Sequence, residues 1–350
     1  MNQITMVLNT RNDIRYYPKA ALQYFSPIFQ YWRCSLPGRY ADIAKELDTL
    51  VSRGTAEEQH IVDAVGCGDL VRPSGFIEVY RKKSFSDVQE AAQTKRKQNM
   101  VLDAISAEEL RKMEPDLSHE FSSGLHFKDT LLVRDPGALV NAYIDHVLQN
   151  GGHMVKSHVN ELKPPSAASA DWKLTTGAGE FQSPHVVICS GPWTDVLLKP
   201  LGYKLPLYPL RGYCAHFQLR EGAALNYPVE DFENGFFMGP MRQGVRITTG
   251  GEFTTMDSKP NEKQIRRAEE VLRSILPVQK AVGGVWYGHR PCVGDMKPII
   301  GESKHEGLWF NFGHAHSGLT LGAITARVLA ELLAGEKTVV DPKPFSMNRF

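Results

Sequence analysis

Arg290 closes the run WYGHRP, at the end of a strand-like stretch and directly before Pro291. An arginine held at a strand end can clamp a carboxylate through two parallel hydrogen bonds. The same residue type serves equally as a structural or surface cation. Arg211 and Tyr213, in PLRGY, form a similar pair where another strand-like run begins, and Tyr287 is as compatible with a core position. Two glycine turns offer a second kind of chemistry. VVICSGPW (residues 186–193) carries a β-branched run into Ser190, Gly191 and Pro192. LWFNFGHAHSGLTLGAITA passes from a strand around Leu308 to Phe312 through a polar glycine loop into a helix. A helix opening at Gly318 or Leu319 directs unpaired N–H groups and the positive end of its dipole at an anionic atom. An ordinary strand–turn–helix packing junction has the same pattern.

Other chemistries lack their residues. His314 and His316 stand close together, but no carboxylate completes a metal-ligand spacing, so no metal site is expected. Ser317 lies in HAHSGL and not in GxSxG, which disfavours acyl transfer and ester hydrolysis. GxGxxG, GxxxxGK[ST] and HExxH do not occur. The first absence carries weight, because dinucleotide folds normally place that glycine turn after their first strand to admit a pyrophosphate. The five cysteines stand apart with no CxxC and read as thiols of a reducing compartment. Lys and Arg total 40 against 39 Asp and Glu, and this balance gives no support to a nucleic-acid partner.

The elements that must position these residues follow from periodicity. The 350 residues predict about two domains. Residues 40–64 read as a helix, Phe76 to Tyr80 as a strand, and residues 87–99 as a polar helix. Ser106 and Glu109 have capping-box spacing, predicting a short helix that ends near Pro115. Pro136 opens a helix that stops at Gly151 and Gly152, followed by a hairpin and a buried strand from His185 to Cys189. Residues 163–169 read as a surface turn. Short strands separated by glycines fill residues 207–251, and a charged helix spans Asn261 to Ile275. VGGVWYGHRP supplies another strand. The last helix carries Leu321, Ile324, Val328, Leu329 and Leu332 at helical spacing, with Gly335 beyond its end. This order predicts a mixed α/β fold, in which the C-terminus completes one α/β domain and a more antiparallel domain is inserted between its pieces.

The opening MNQITMVLNTRND does not read as a secretory signal, and no run approaches about eighteen uninterrupted apolar residues. Seven of the seventeen residues in YYPKAALQYFSPIFQYW (16–32) are aromatic. Such a stretch rests at a membrane interface or packs against the protein. Pro18 and Pro27 interrupt any long amphipathic helix and favour packing.

Taken together, PLYPLRGYCAHF, GVRITTGGEF, NEKQIRRAEEVLRSILP, VWYGHRPCVGDMKPIIG and LWFNFGHAHSGLTLGAITARVLAELLAG occur in an order that resembles the FAD-dependent D-amino acid oxidase superfamily. The nearest branch is the D-amino acid dehydrogenases of the DadA type. RPSGFIEVYR, DPGALVNAY and VVICSGPWTDVLLKPLG match intermediate parts of the same pattern. The resemblance implies a Rossmann-like FAD-binding domain with an inserted antiparallel-sheet substrate domain. Its expected segments are 1–134 (helical segment and first part of the substrate domain), 135–206 (FAD domain), 207–290 (substrate domain) and 291–350 (FAD domain). It implies FAD contacts from Ser190, Gly191, Trp193, Gly313, His314, Gly318, Leu319 and Thr320. It further implies that Arg290 holds a substrate carboxylate and that Tyr213 and His314 join the catalytic site. Ala315 departs from the pattern, replacing a glycine common in this loop, which leaves the loop's contact with the flavin ring open.

The implied reaction is hydride transfer from a D-amino acid to flavin, giving a 2-oxo acid and ammonia, with a quinone-linked carrier or oxygen as electron acceptor. The implied place is the cytoplasm or the inner face of its membrane. A glycine- or sarcosine-type oxidase and an inactive scaffold are the alternatives. Members of the family open with a strand, GxGxxG, a helix and a ribose-binding acid, roughly fifty to sixty residues for which this sequence has no counterpart. The expectation is therefore an N-terminally truncated FAD domain.

Overall fold

The computed structural model describes residues 14–166 and 170–350. The run MNQITMVLNTRND and residues 167–169 of the expected surface turn lie outside the described residues. The chain divides into two units. Among the described residues, one is built from 14–18, 65–143 and 211–288, the other from 19–64, 144–210 and 289–350. The chain passes between them inside the strands Leu207–Leu219 and Val278–Val293 and the helix Pro136–Gln149. Residues 19–64, expected with the first segment, belong to the second unit.

The first unit is organised by a ten-stranded sheet among the described residues. Its order is Ile14–Tyr16, Gly251–Phe253, Leu207–Leu219, Gly244–Thr249, Phe236–Met241, Val229–Asp231, Phe76–Tyr80, Ser123–Phe127 and Leu102–Ser106, with Val278–Val293 also paired to Leu207–Leu219. Alternation along these strands separates two faces. Phe217, Val245, Ile247, Phe236 and Met238 share one face with Ile77 and Val79, and Ile265, Ala268, Leu272 and Ile275 of the helix Lys263–Ile275 pack onto it. Burying side chains of this size stabilises the fold by about 1.5–3 kcal/mol each. The expected capping box at Ser106 and Glu109 is present, and its helix ends at Met113, just ahead of Pro115. A second box, Ser84 with Asp87, starts the helix Phe85–Arg96 two residues earlier than the sequence reading placed it.

In the second unit, Val186–Ile188 runs parallel to Leu308–Phe312, and Ile299–Glu302 pairs antiparallel on the far side. Leu308, Phe310 and Phe312 join Val186, Ile188, Leu198 and Trp172 in one core. Ile300 faces the other way, into a cluster with Leu50, Leu321, Ile324, Val328 and Leu329. The strand expected to be buried from His185 to Cys189 is shorter, and Val187 is 39% exposed. The pleat buries Val186 and Ile188 in the core and turns Val187 away from it.

The aromatic segment meets the packing expectation in part: Tyr16 stacks on Phe253, and the Tyr17 hydroxyl accepts a hydrogen bond from Asn261. The segment then forms two helices, Pro18–Gln23 and Phe25–Cys34, broken at Tyr24. Pro27 is tolerated because it falls in the first turn, where its missing N–H would have no helical partner. Phe25, Phe29 and Trp32 are exposed. The helix Pro37–Val65 follows, opened by its own proline.

Candidate functional site

The loop between Leu308–Phe312 and Gly318–Leu333 turns twice through the left-handed region, at Gly313 (φ 79°) and at Ala315 (φ 50°). The first turn is free of strain because glycine has no Cβ. The second carries a Cβ where glycine would be easier. Ala315 is held there by burial and by its N–H, which donates to the Pro291 carbonyl at 3.1 Å. That bond ties the loop to the strand end next to Arg290. The Ser317 N–H donates to the His314 carbonyl at 2.9 Å, but Ser317 makes no side-chain cap. The sixteen-residue helix Gly318–Leu333 therefore opens with its first N–H groups, those of Gly318, Leu319 and Thr320, uncapped at an exposed position.

The side chains around this loop have perturbed proton equilibria. Burial pushes His314 down to about 4. Its Nε2 lies 3.0 Å from the Thr325 hydroxyl, which itself donates to the Gly322 carbonyl. The network thus assigns the ring proton to Nε2, leaving a neutral imidazole at pH 7. Partial desolvation, and then the Arg290 guanidinium, lower His316. Burial also lowers Arg290 from its ordinary value, and it pushes the adjacent Cys292 thiol up to about 12.

Ser190, Gly191 and Trp193 follow the parallel neighbour strand, whose Ile188 pairs with Phe310. Gly191 has φ 56°, and nothing lies within 4 Å of the place a Cβ would take. The Ser190 and Thr194 hydroxyls are 3.1 Å apart, with Thr194 donating to the Gly191 carbonyl. Trp193 is exposed.

Arg290, Gly313, His314, Gly318, Leu319, Thr320, Ser190, Gly191 and Trp193 thus all belong to the second unit, and Tyr213 belongs to the first. Tyr213 is buried. Its hydroxyl donates to Glu252 at 2.7 Å and accepts the Asn261 N–H at 2.8 Å. Arg211, fully buried beside it, donates to the carbonyls of Ser258 at 2.6 Å and Lys259 at 3.0 Å. The pair braces the loop that starts the helix Lys263–Ile275. Sequence reasoning missed Glu252, whose signal was a lone acid inside the strand GEF. It also missed Asn311, whose buried Oδ1 has no hydrogen-bond partner. A cavity of about 750 Å³ opens in the first unit between Arg72, His126, Lys128 and Tyr227, and none of the expected site residues lines it.

These features test the fit of a dinucleotide. Two parallel strands run to the same end and enter glycine turns, one of them open above Gly191 and the other leading into an uncapped helix. Ligands of open α/β sheets bind at such strand ends, and an anion or a ring carbonyl is stabilised by the unpaired N–H groups. The residues present fit FAD, and they define a dinucleotide-binding class of fold.

The comparison with known proteins narrows that class. The profile of the FAD dependent oxidoreductase family, DAO, matches residues 14–332, and the chain belongs to this family. It is 26% identical over 342 residues to a D-amino-acid oxidase of Bradyrhizobium diazoefficiens, covering 96% of this chain and 80% of the relative. It is 30% identical over 254 residues to a D-amino acid dehydrogenase of Chromohalobacter salexigens, covering 70% of this chain and 60% of that relative. The fold matches the crystal structure of glycine oxidase from Geobacillus kaustophilus with a TM-score of 0.73 at 22% identity, over 87% of this chain and 84% of that one. Family and fold together make this a mixed α/β FAD-dependent oxidoreductase.

Proposed function

We propose that the chain oxidises D-amino acids to 2-oxo acids and ammonia as a D-amino acid dehydrogenase-type enzyme. The observation that carries this reading is the link from Pro291 to Ala315, which sets the Arg290 strand end against the loop leading to the uncapped helix. FAD, when bound, would supply the redox chemistry, as the acceptor of the hydride from the substrate α-carbon. Arg290 holds the substrate carboxylate with charge-assisted hydrogen bonds, each worth about 1.5–3 kcal/mol, and so orients the α-carbon. Main-chain donors of Gly313, Gly318, Leu319 and Thr320 would hold the cofactor's ring end, and the Ser190–Trp193 turn would hold its phosphate and adenosine side. His314, neutral and anchored on Thr325, fixes the shape of the loop and does not carry a charge. Tyr213 acts through the Glu252 brace, as its hydroxyl partners support. Water then converts the imino acid to the 2-oxo acid and releases ammonia.

The electron acceptor in this reading is a quinone-linked carrier or oxygen, at the inner face of the cytoplasmic membrane. No helix among the described residues is long and apolar enough to cross a membrane.

The test is anaerobic reduction of the FAD-loaded protein, followed by its visible flavin absorption. D-Alanine and other D-amino acids are expected to bleach it. Bleaching by glycine or sarcosine but not by D-alanine overturns the substrate assignment. Arg290→Ala is expected to raise KM for the amino acid by about one to two orders of magnitude, the equivalent of losing one charge-assisted contact. An unchanged KM removes the carboxylate clamp from the reading.

A further inference from the structure

The cavity of about 750 Å³ in the first unit lies where four segments meet. Arg72 comes from the strand Val71–Pro73 and Lys112 from the end of the helix Ala107–Met113. His126 and Lys128 stand at the end of the strand Ser123–Phe127, and Asn226 and Tyr227 on the turn ahead of Val229–Asp231. Three cations and an imidazole therefore line one space of small-molecule size, and no Asp or Glu is among its described lining residues. The turn is braced from beneath. Glu114, buried, accepts the N–H groups of Asn226 at 2.9 Å and Tyr227 at 2.5 Å, and the Asn226 side-chain amide donates to the Met113 carbonyl at 2.9 Å. Those bonds engage acceptors that would otherwise repel an anion. Burial also pushes Glu114 up to about 7, which withdraws part of its charge near neutral pH. Arg72 donates to the Asn226 carbonyl and makes no ion pair among the described residues. Lys112 pairs with Glu108 at 2.7 Å and Lys128 with Asp103, but all four side chains are about half exposed or more. Exposed pairs of this kind contribute little, so both ammonium groups can turn to an incoming anion. The His126 and Tyr227 rings meet edge to face, with centroids 5.2 Å apart, and His126 Nε2 donates to the Ser74 carbonyl at 3.2 Å.

We propose that this cavity binds a phosphate monoester with a planar apolar body, its dianion among Arg72, Lys112 and Lys128 and its ring beside Tyr227 and His126. A guanidinium fork matches two phosphate oxygens, and two mobile ammonium groups answer the second negative charge. A monocarboxylate would leave that part of the positive field unused. The aromatic pair gives a ring-bearing ligand apolar surface that a bare phosphate cannot cover. The inference goes beyond the amine-oxidation reading and does not rest on it, since binding is measured without any turnover.

The experiment is titration of the FAD-loaded protein with phenyl phosphate, inorganic phosphate and benzoate in a calorimeter. Phenyl phosphate is expected to bind about fivefold or more tightly than either of the others, because one lacks the ring and the other the second charge. Its binding is expected to weaken in about 0.5 M salt. The double variant Lys112→Gln/Lys128→Gln is expected to raise its Kd about tenfold or more with an unchanged melting temperature, because both side chains are exposed. Absence of binding at about 10 mM phenyl phosphate overturns the proposal. Inorganic phosphate or benzoate binding as tightly as phenyl phosphate overturns it too, as does an affinity that the lysine double variant keeps. So does binding abolished by Arg290→Ala, which would put the anion at the carboxylate clamp.

Discussion

His314 makes a neutral hydrogen bond to Thr325 in a place too dry for an imidazolium, and its value is pushed down to about 4 as a result. In the unfolded chain the same ring takes up a proton near pH 6.5. Between about pH 6.5 and 4 the unfolded state therefore holds the extra proton, so stability falls as the pH is lowered through that window. The loss amounts to about 3 kcal/mol by the time the pH is near 4, and above about 6.5 there is none. Denaturant unfolding of His314→Gln compared with wild type should show this difference in slope between pH 6.5 and 4. Parallel pH curves for the two proteins would mean that His314 is not buried as a neutral group. The residue types around it were readable in GHAHSGL. The direction of the proton shift was not, because it depends on burial, which only the folded chain decides.

At the scale of elements, the helix Gly318–Leu333 is seated by a close approach. Gly54 of the helix Pro37–Val65 lies where a Cβ would fall 2.4 Å from the Thr320 carbonyl oxygen. That atom is backbone and cannot rotate away, so an added methyl must push the two helices apart or tilt the first turn of the second. Alanine would gain up to ~1 kcal/mol of helix propensity at this position. The overpacking penalty of about 1–3 kcal/mol outweighs it. Gly54→Ala is thus expected to lower the urea midpoint and to weaken FAD binding, because the displaced turn carries the uncapped donors. A variant as stable as wild type would show that the helices separate freely here. Sequence periodicity located both helices, and the apolar spacing of Leu321, Ile324 and Val328 named the face that packs. The glycine contact that sets their distance had no local signature, since nothing in RGTAE points to a residue 266 positions further on.

At the scale of the whole molecule, the two units have separate cores, and the residues expected to touch FAD lie in the second. A ligand that binds only the folded state adds RT ln(1 + [L]/Kd), about 2.7 kcal/mol at a hundredfold excess over Kd. Added FAD is therefore expected to raise the thermal midpoint and to slow amide exchange chiefly in Val186–Ile188, Leu308–Phe312 and the first turn of Gly318–Leu333. Slowed exchange confined to the first unit would place the cofactor elsewhere.

The sequence by itself determined what short-range rules control. It specified the capping box at Ser106, the glycine turns after two strands, a charged helix ending at Ile275 and the ordered series of motifs that identifies the family. These depend on residues a few positions apart, where steric and hydrogen-bonding preferences act directly. Tertiary structure decided the rest. It placed Tyr213 on Glu252, 39 residues away, turned Val187 out of the core, and left Phe25, Phe29 and Trp32 facing solvent where Pro18 and Pro27 had favoured packing. Burial is a property of what comes to lie opposite a side chain, and hydrophobic attraction has no direction of its own. An aromatic residue therefore signals that it needs a partner, and only the folded chain shows whether that partner is inside the protein.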